Sequence, residues 1–108
     1  MRVYILEITL KKFGIDGLFV KPEGRLDLDN AVIFGTKVKD AIEDNDIKNV
    51  ILDLEDVTFM SSFGLKVLLE LHNAVHRDGS LKLKNVSETI LKTFKLVGFD
   101  KFLDIENV

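Results

Sequence analysis

Val50-Ile51-Leu52-Asp53-Leu54 is a nearly continuous apolar run of strand length. Five residues are too few for a helix, and a run of this kind reads as a strand deep in a sheet or covered on both faces. Helical periodicity lies on either side of it. Before it, Ala31, Phe34, Val38, Ala41 and Ile42 share one face of a helix running to about Glu43. After it, Leu65, Leu68, Leu69, Val75 and part of Leu71 form the apolar stripe of a second helix ending near Arg77. A buried strand between two amphipathic helices needs crossover connections. Right-handed crossovers then place the later strands parallel to one another.

The remaining elements follow from local signals. Val3 to Leu10 alternates apolar and polar residues as a half-buried strand does. Phe13-Gly14-Ile15-Asp16-Gly17 reads as a hairpin turn whose two glycines are free to take positive φ. Leu18 to Lys21 is the returning strand, with Pro22 marking an edge or a strand end, and Gly24-Arg25-Leu26-Asp27 continues extended toward a loop. Asp29 or Asn30 is placed to cap the first helix, and Asn45-Asp46 breaks it. Gly79 is placed for the left-handed residue after the second helix. Leu81 to Leu83 is a short strand. Ser87 caps a third helix carrying Ile90, Leu91, Phe94 and Val97, and Gly98 closes it. Phe99 to Ile105 packs back as a strand or an irregular segment. The order β-β-α-β-α-β-α predicts an α/β fold: a small mixed sheet of four to five strands with helices mainly on one side. Pro22 is the lone proline and no Ser/Gly-rich linker interrupts the chain, so residues 1–108 read as one domain.

Composition narrows the function classes. The chain has 46% hydrophobic and 31% charged residues, as ordinary globular domains do. With no cysteine, disulfides, thiolate nucleophiles and cysteine-ligated metals are excluded, which fits a reducing compartment. A net charge of −3 without a basic run carries no nucleic-acid footprint. The apolar stretches are too short to span a membrane, and Met1-Arg2-Val3-Tyr4 enters a strand pattern with no signal peptide. The cytoplasm is the default location.

Chemistry concentrates where the central strand gives way to the second helix, at Phe59-Met60-Ser61-Ser62-Phe63-Gly64-Leu65. Ser61 or Ser62 stands at a helix N-terminus, where free N–H groups and the positive dipole end favour an anion. A serine there is an ordinary cap. Phosphorylated, it carries roughly −1.5 to −2 charges beside those donors. The host need not unfold, yet the surface a partner meets changes.

This segment resembles the STAS domain family, whose anti-sigma factor antagonists carry a strand and then an apolar-Met-Asp-Ser-Ser/Thr-Gly-Leu turn into a helix. Gly24-Arg25-Leu26-Asp27 followed by Ala31 is similar to the family's Gly-x-Leu-Asp segment. His72 to Asn85, with Arg77-Asp78-Gly79 and Leu81-Lys82-Leu83, is similar to its helix end, turn and strand. Ile90 to Phe99 is similar to its third helix and exit. The resemblance implies a four- to five-stranded sheet flanked by helices. It puts Ser62 on the phospho-acceptor position, with Ser61 a competing acceptor, and Asp27 on the aspartate expected nearby. Ser61 replaces the usual aspartate and Phe63 a usual small residue.

The resemblance implies a partner switch. Asp27, Ser61, Ser62, Phe63 and Gly64 form the contact region for an anti-sigma factor that is itself a serine protein kinase. A phosphatase resets the switch, and the chain needs no cofactor of its own. Two other classes stay open: a STAS subunit docking in a transporter or signalling assembly without phosphorylation, and a small nucleotide- or anion-binding module. Serine hydrolysis is discounted, because His72 and His76 lie on the serine's own helix, roughly 15 Å or more away by helical rise. The same histidines, spaced i, i+4, are two metal ligands without a third and read as border residues of the apolar stripe. Glu43-Asp44 and Glu55-Asp56 read as solvated turns.

Overall fold

The computed structural model describes residues 6–106. Strand β1 (Glu7–Phe13) turns into β2 (Gly17–Leu26), followed by α1 (Leu28–Asp44), β3 (Asn49–Asp53), β4 (Val57–Met60), α2 (Ser62–Val75), β5 (Ser80–Lys84), α3 (Glu88–Val97), a 3-10 turn (Phe99–Lys101) and β6 (Asp104–Glu106). The sheet is mixed. β1 lies antiparallel to β2, and β2, β3, β5 and β6 follow as parallel neighbours, with β4 parallel to β2 beyond the β3 ladder. Six strands stand where four to five were expected. The extra ones are the short β4 and β6, four and three residues long, and runs this brief carry little alternation to read. Of the expected first strand, Val3 to Ile5 lie outside the described residues.

Alternation along the strands separates two faces. Leu18, Val20, Val50, Leu52, Leu81 and Leu83 are buried, while Phe19, Lys21, Ile51 and Lys82 between them are half-buried. The buried set meets Ala31, Phe34 and Val38 of α1 and Val67, Leu68 and Leu71 of α2 in one core. The 50–54 run is therefore a central strand covered by helices on one face only. Each of the Val, Leu and Phe side chains among them contributes roughly 1.5–3 kcal/mol by leaving water. The two helices also pack on each other, and Lys39 of α1 pairs with Glu70 of α2. That ion pair holds the Glu70 carboxyl below its ordinary pKa, chiefly through the hydrogen bond from Lys39.

Pro22 sits inside β2, which runs ten residues without a break. β2 pairs with β3 through Val20 and with β4 from Gly24 onward, so the residue without an N–H donor occupies the span where that flank changes partner. The shift of register at Gly24 (φ 120°) bends the strand toward β4.

Several local expectations are corrected. The α1 cap is Asp27, whose carboxylate accepts from the Asn30 N–H at 3.2 Å, rather than Asp29 or Asn30. Asn30 is buried and donates to the Arg25 carbonyl at 2.9 Å. In the β1–β2 turn Gly14 takes positive φ (60°) but Gly17 does not; Gly17 instead gives the Phe13 ring room to lie over the strand. α2 ends at Val75 rather than Arg77, and its buried stripe takes Val67 and leaves Leu69 exposed. Val97 is likewise exposed, while Ile90 and Phe94 carry the buried face of α3. Ser87 caps α3 and Gly98 closes it in the left-handed conformation (φ 81°), as expected.

Gly79 is not left-handed. It is required because a Cβ there would overlap the Lys48 carbonyl, which also accepts the Ser80 N–H at 3.0 Å. Gly79→Ala is expected to destabilise the fold by about 1–3 kcal/mol, as overpacked sites do. Gly98→Ala strains the backbone without a clash. Urea unfolding of both variants checks the assignment, with a smaller loss for Gly98→Ala.

Candidate functional site

Parallel pairing of β2 with β4 sets Leu26 beside Met60, so both strands end at the same level of the sheet. α1 starts after Asp27 and α2 after Ser61, so two helix N-termini emerge side by side. Ser61 ties them together. Its N–H donates to the Leu26 carbonyl at 3.0 Å, and its hydroxyl donates to the same oxygen at 2.7 Å. The hydroxyl also accepts from the Gly64 N–H at 3.2 Å, and the Ser61 carbonyl accepts from Leu65 at 3.0 Å. Ser61 is half-buried and fully engaged as the α2 cap.

Ser62 is the first residue of α2 and is exposed. The two serines differ in setting: the Ser61 hydroxyl caps the helix and Ser62 is exposed. Gly64 and Leu65 N–H groups are satisfied by Ser61, whereas those of Ser62 and Phe63, in the first turn, have no intrahelical acceptor. An anion on Ser62 would sit beside those donors at the positive end of a 14-residue helix.

Phe63 is 46% exposed on the same first turn. Gly64 lies beneath it, buried, where a Cβ would stand 2.5 Å from the Met60 sulfur and 3.2 Å from the Leu26 carbonyl oxygen. Gly64 therefore sets the close approach of α2 to β2 and does not face outward. Asp27 is half-buried and occupied by capping α1, with Arg25 Nε 4.0 Å from its carboxylate.

Sequence reading assigned no role here to Leu28 or Val32 and did not pair Arg25 with Phe59. Leu28, in the first turn of α1, is 49% exposed, and Val32 one turn later is 59% exposed. Arg25 lies 4.3 Å over the Phe59 ring, both on the exposed side of the β2–β4 pair. Val32 was detectable as an apolar residue off the buried stripe. Leu28 and the Arg25–Phe59 pair were not, because each depends on which strands are neighbours.

His72 and His76 stand at the far end of α2 from Ser62. Among the described residues no group of three or more His, Asp or Glu side chains is arranged to hold a metal. Glu55 and Asp56 lie in the β3–β4 turn with Lys21 between them, at 3.8 and 3.4 Å, and Asp56 in particular raises the Lys21 pKa. Asp53 is buried because it organises turns: its carboxylate accepts from the Glu55 N–H at 2.9 Å and from the Asn85 amide at 3.1 Å. No helix among the described residues is long and apolar enough to cross a membrane.

Comparison with known proteins matches this arrangement. The chain is 28% identical over 107 residues to the anti-sigma-B factor antagonist of Listeria monocytogenes, covering 95% of this chain and 90% of that one. It superposes on the anti-sigma factor antagonist SpoIIAA in its unphosphorylated form with a TM-score of 0.76 at 20% identity, covering 94% of this chain and 89% of that one. Against the Bacillus cell fate determinant SpoIIAA in the phosphorylated form the TM-score is 0.75 at 21% identity, covering 94% and 91%. The STAS domain model matches residues 9–108, from the first strand through both capped helices to the last. With that span the chain belongs to the STAS domain family.

Proposed function

We infer that the chain is an anti-sigma factor antagonist, a binding protein switched by phosphorylation of Ser62. The observation that carries this reading is the division between the serines: Ser61 is locked in the α2 cap while Ser62 stands exposed at the helix start. The names of its relatives support the same role. Unmodified, the surface around Asp27, Leu28, Ser62 and Phe63 binds an anti-sigma factor that is also an ATP-dependent serine kinase, and a sigma factor is released. The kinase moves the γ-phosphoryl of ATP onto the Ser62 hydroxyl, which loses its proton, and ADP departs. ATP and its magnesium belong to the kinase. A phosphatase restores the hydroxyl. The cytoplasm is where such partners meet.

The switch works by desolvation. In the complex the Ser62 oxygen is covered, and a dianion there without a counter-charge costs several kcal/mol. A hundredfold loss of affinity needs only about 2.7 kcal/mol. In the free protein the phosphate is solvated and rests by the open N–H groups of Ser62 and Phe63, so the modified chain stays folded.

Phe63 favours a second reading, in which an apolar anchor docks the chain in an assembly and phosphorylation plays no part. Binding measurements with the cognate kinase separate the two. Ser62→Asp is expected to weaken binding about a hundredfold and Ser62→Ala to preserve it. Equal affinities for these variants, together with loss of binding in Phe63→Ser, would establish docking instead.

The choice of acceptor has its own test. Ser61→Ala is expected to lower stability by about 1 kcal/mol, as loss of a cap does, while the kinase still labels the chain. Ser62→Ala is expected to leave stability within about 0.5 kcal/mol of native, as surface changes do, and to abolish labelling. Phosphate incorporation persisting in Ser62→Ala would assign the acceptor to Ser61.

A further inference from the structure

The histidines of α2 take part in a different construction, at the end of the helix opposite Ser62. His72 lies in the last turn and His76 at the C-cap. Their rings are stacked, with centroids 5.1 Å apart and planes 15° from parallel. His72 also meets the ring of Phe102 at 5.3 Å. Phe102 meets Phe99 edge-on at 5.1 Å, and Phe99 packs on Phe94 at 6.2 Å. Phe94 is fully buried in the core. A continuous line of rings thus runs from solvent at His76, through the segment that follows α3, to the centre of the domain.

That segment is also held by Phe99 and Ile105, which pack on the core. Leu103 is buried, and β6 pairs with β5 over only three residues, flanked by ion pairs from Lys82 and Lys84 to Glu106. These exposed ion pairs add little. The stack against α2 adds a further hold at Phe102.

We propose that His72, His76 and Phe102 form an acid-sensitive latch, which holds residues 99–106 against α2 while the His72 imidazole is neutral and loosens when it takes up a proton. Neutral rings stack through apolar contact. Two imidazolium rings at this separation repel, and a charged His72 must also keep its hydration beside Phe102. Burial lowers the His72 pKa first, and His76 lowers it further. Of the charged groups on the neighbouring elements, Glu70 is engaged by Lys39 of α1, Arg77 lies beyond the helix end, and Asp100 and Lys101 flank Phe102. None of these, nor the lysines and acids of α3, β5 and β6, offsets the effect of His76 on His72.

The direction follows from linkage. A histidine whose folded pKa is depressed binds fewer protons in the closed state than in the open one, so closure is favoured at high pH. The stabilisation is complete above the ordinary imidazole value of about 6.5 and is lost as pH falls below it.

Amide hydrogen exchange of the full chain, corrected for intrinsic rates, tests the latch. Between about pH 7.5 and about pH 5.5, protection of residues 99–106 is expected to fall several-fold while that of β3 holds. His72→Phe, which keeps a ring but cannot titrate, is expected to hold protection at both values. Unchanged protection in the native chain, or the same acid-induced loss in His72→Phe, overturns the latch. An NMR titration of the native chain gives a reading that needs no variant: the His72 midpoint is expected below the ordinary value, and a midpoint at or above it overturns the latch.

Discussion

One carbonyl oxygen organises the functional end of this molecule. Leu26 O receives both the N–H and the hydroxyl of Ser61. A carbonyl has two lone pairs, and here both donors come from the residue that caps the next helix. The bond pair joins the end of β2 to the start of α2 across 35 residues of sequence. Gly64 makes the approach possible by presenting no side chain to Leu26 and Met60. With β2 and β4 in register, Asp27 caps α1 beside the same junction. Two helix starts, and the side chains of their first turns, therefore stand together on one surface.

That arrangement gives the two serines different settings. The structural duty falls on Ser61, which is half-buried and bonded on all sides, and this leaves Ser62 without a role in holding the helix. A hydroxyl with no structural duty can be modified and restored without disturbing the fold. A cap cannot, because a phosphate on Ser61 would have to displace the bond to Leu26 O. Phe63, beside it, leaves an apolar ring 46% exposed on the same turn. The far end of the same helix answers to a different variable. There the rings of His72, His76 and Phe102 couple the C-terminal segment to solvent acidity, distant from the serine and independent of it.

How far the fold was legible follows the length of each pattern. α1, α2, α3 and the 50–54 strand each carry an apolar period long enough to define a face, and all four are present. The hairpin and the caps of α3 were readable from Gly14, Ser87 and Gly98, whose chemistry is local. The errors share one cause. Asp27 displaced Asp29 and Asn30 as cap because the helix start was set by where β2 ended, and β2 ended where β4 did. Leu69 and Val97 left the buried stripes because the neighbouring elements do not reach them. Gly79 serves contact with the Lys48 backbone rather than a left-handed turn, and that neighbour is 31 residues away in sequence.

The sequence by itself determined the order of elements, the parallel logic of the later strands, and a serine pair at the start of an apolar helix. These depend on periodicity and on hydrogen bonds between near neighbours, which a chain carries wherever it goes. Tertiary structure alone decided which serine is bound and which is free, that Leu28 and Phe63 stand in adjoining helix starts, and that His72 meets Phe102. Each of those depends on a partner distant in sequence brought close by strand register and core packing. Composition and spacing hold no record of that proximity until the sheet has formed.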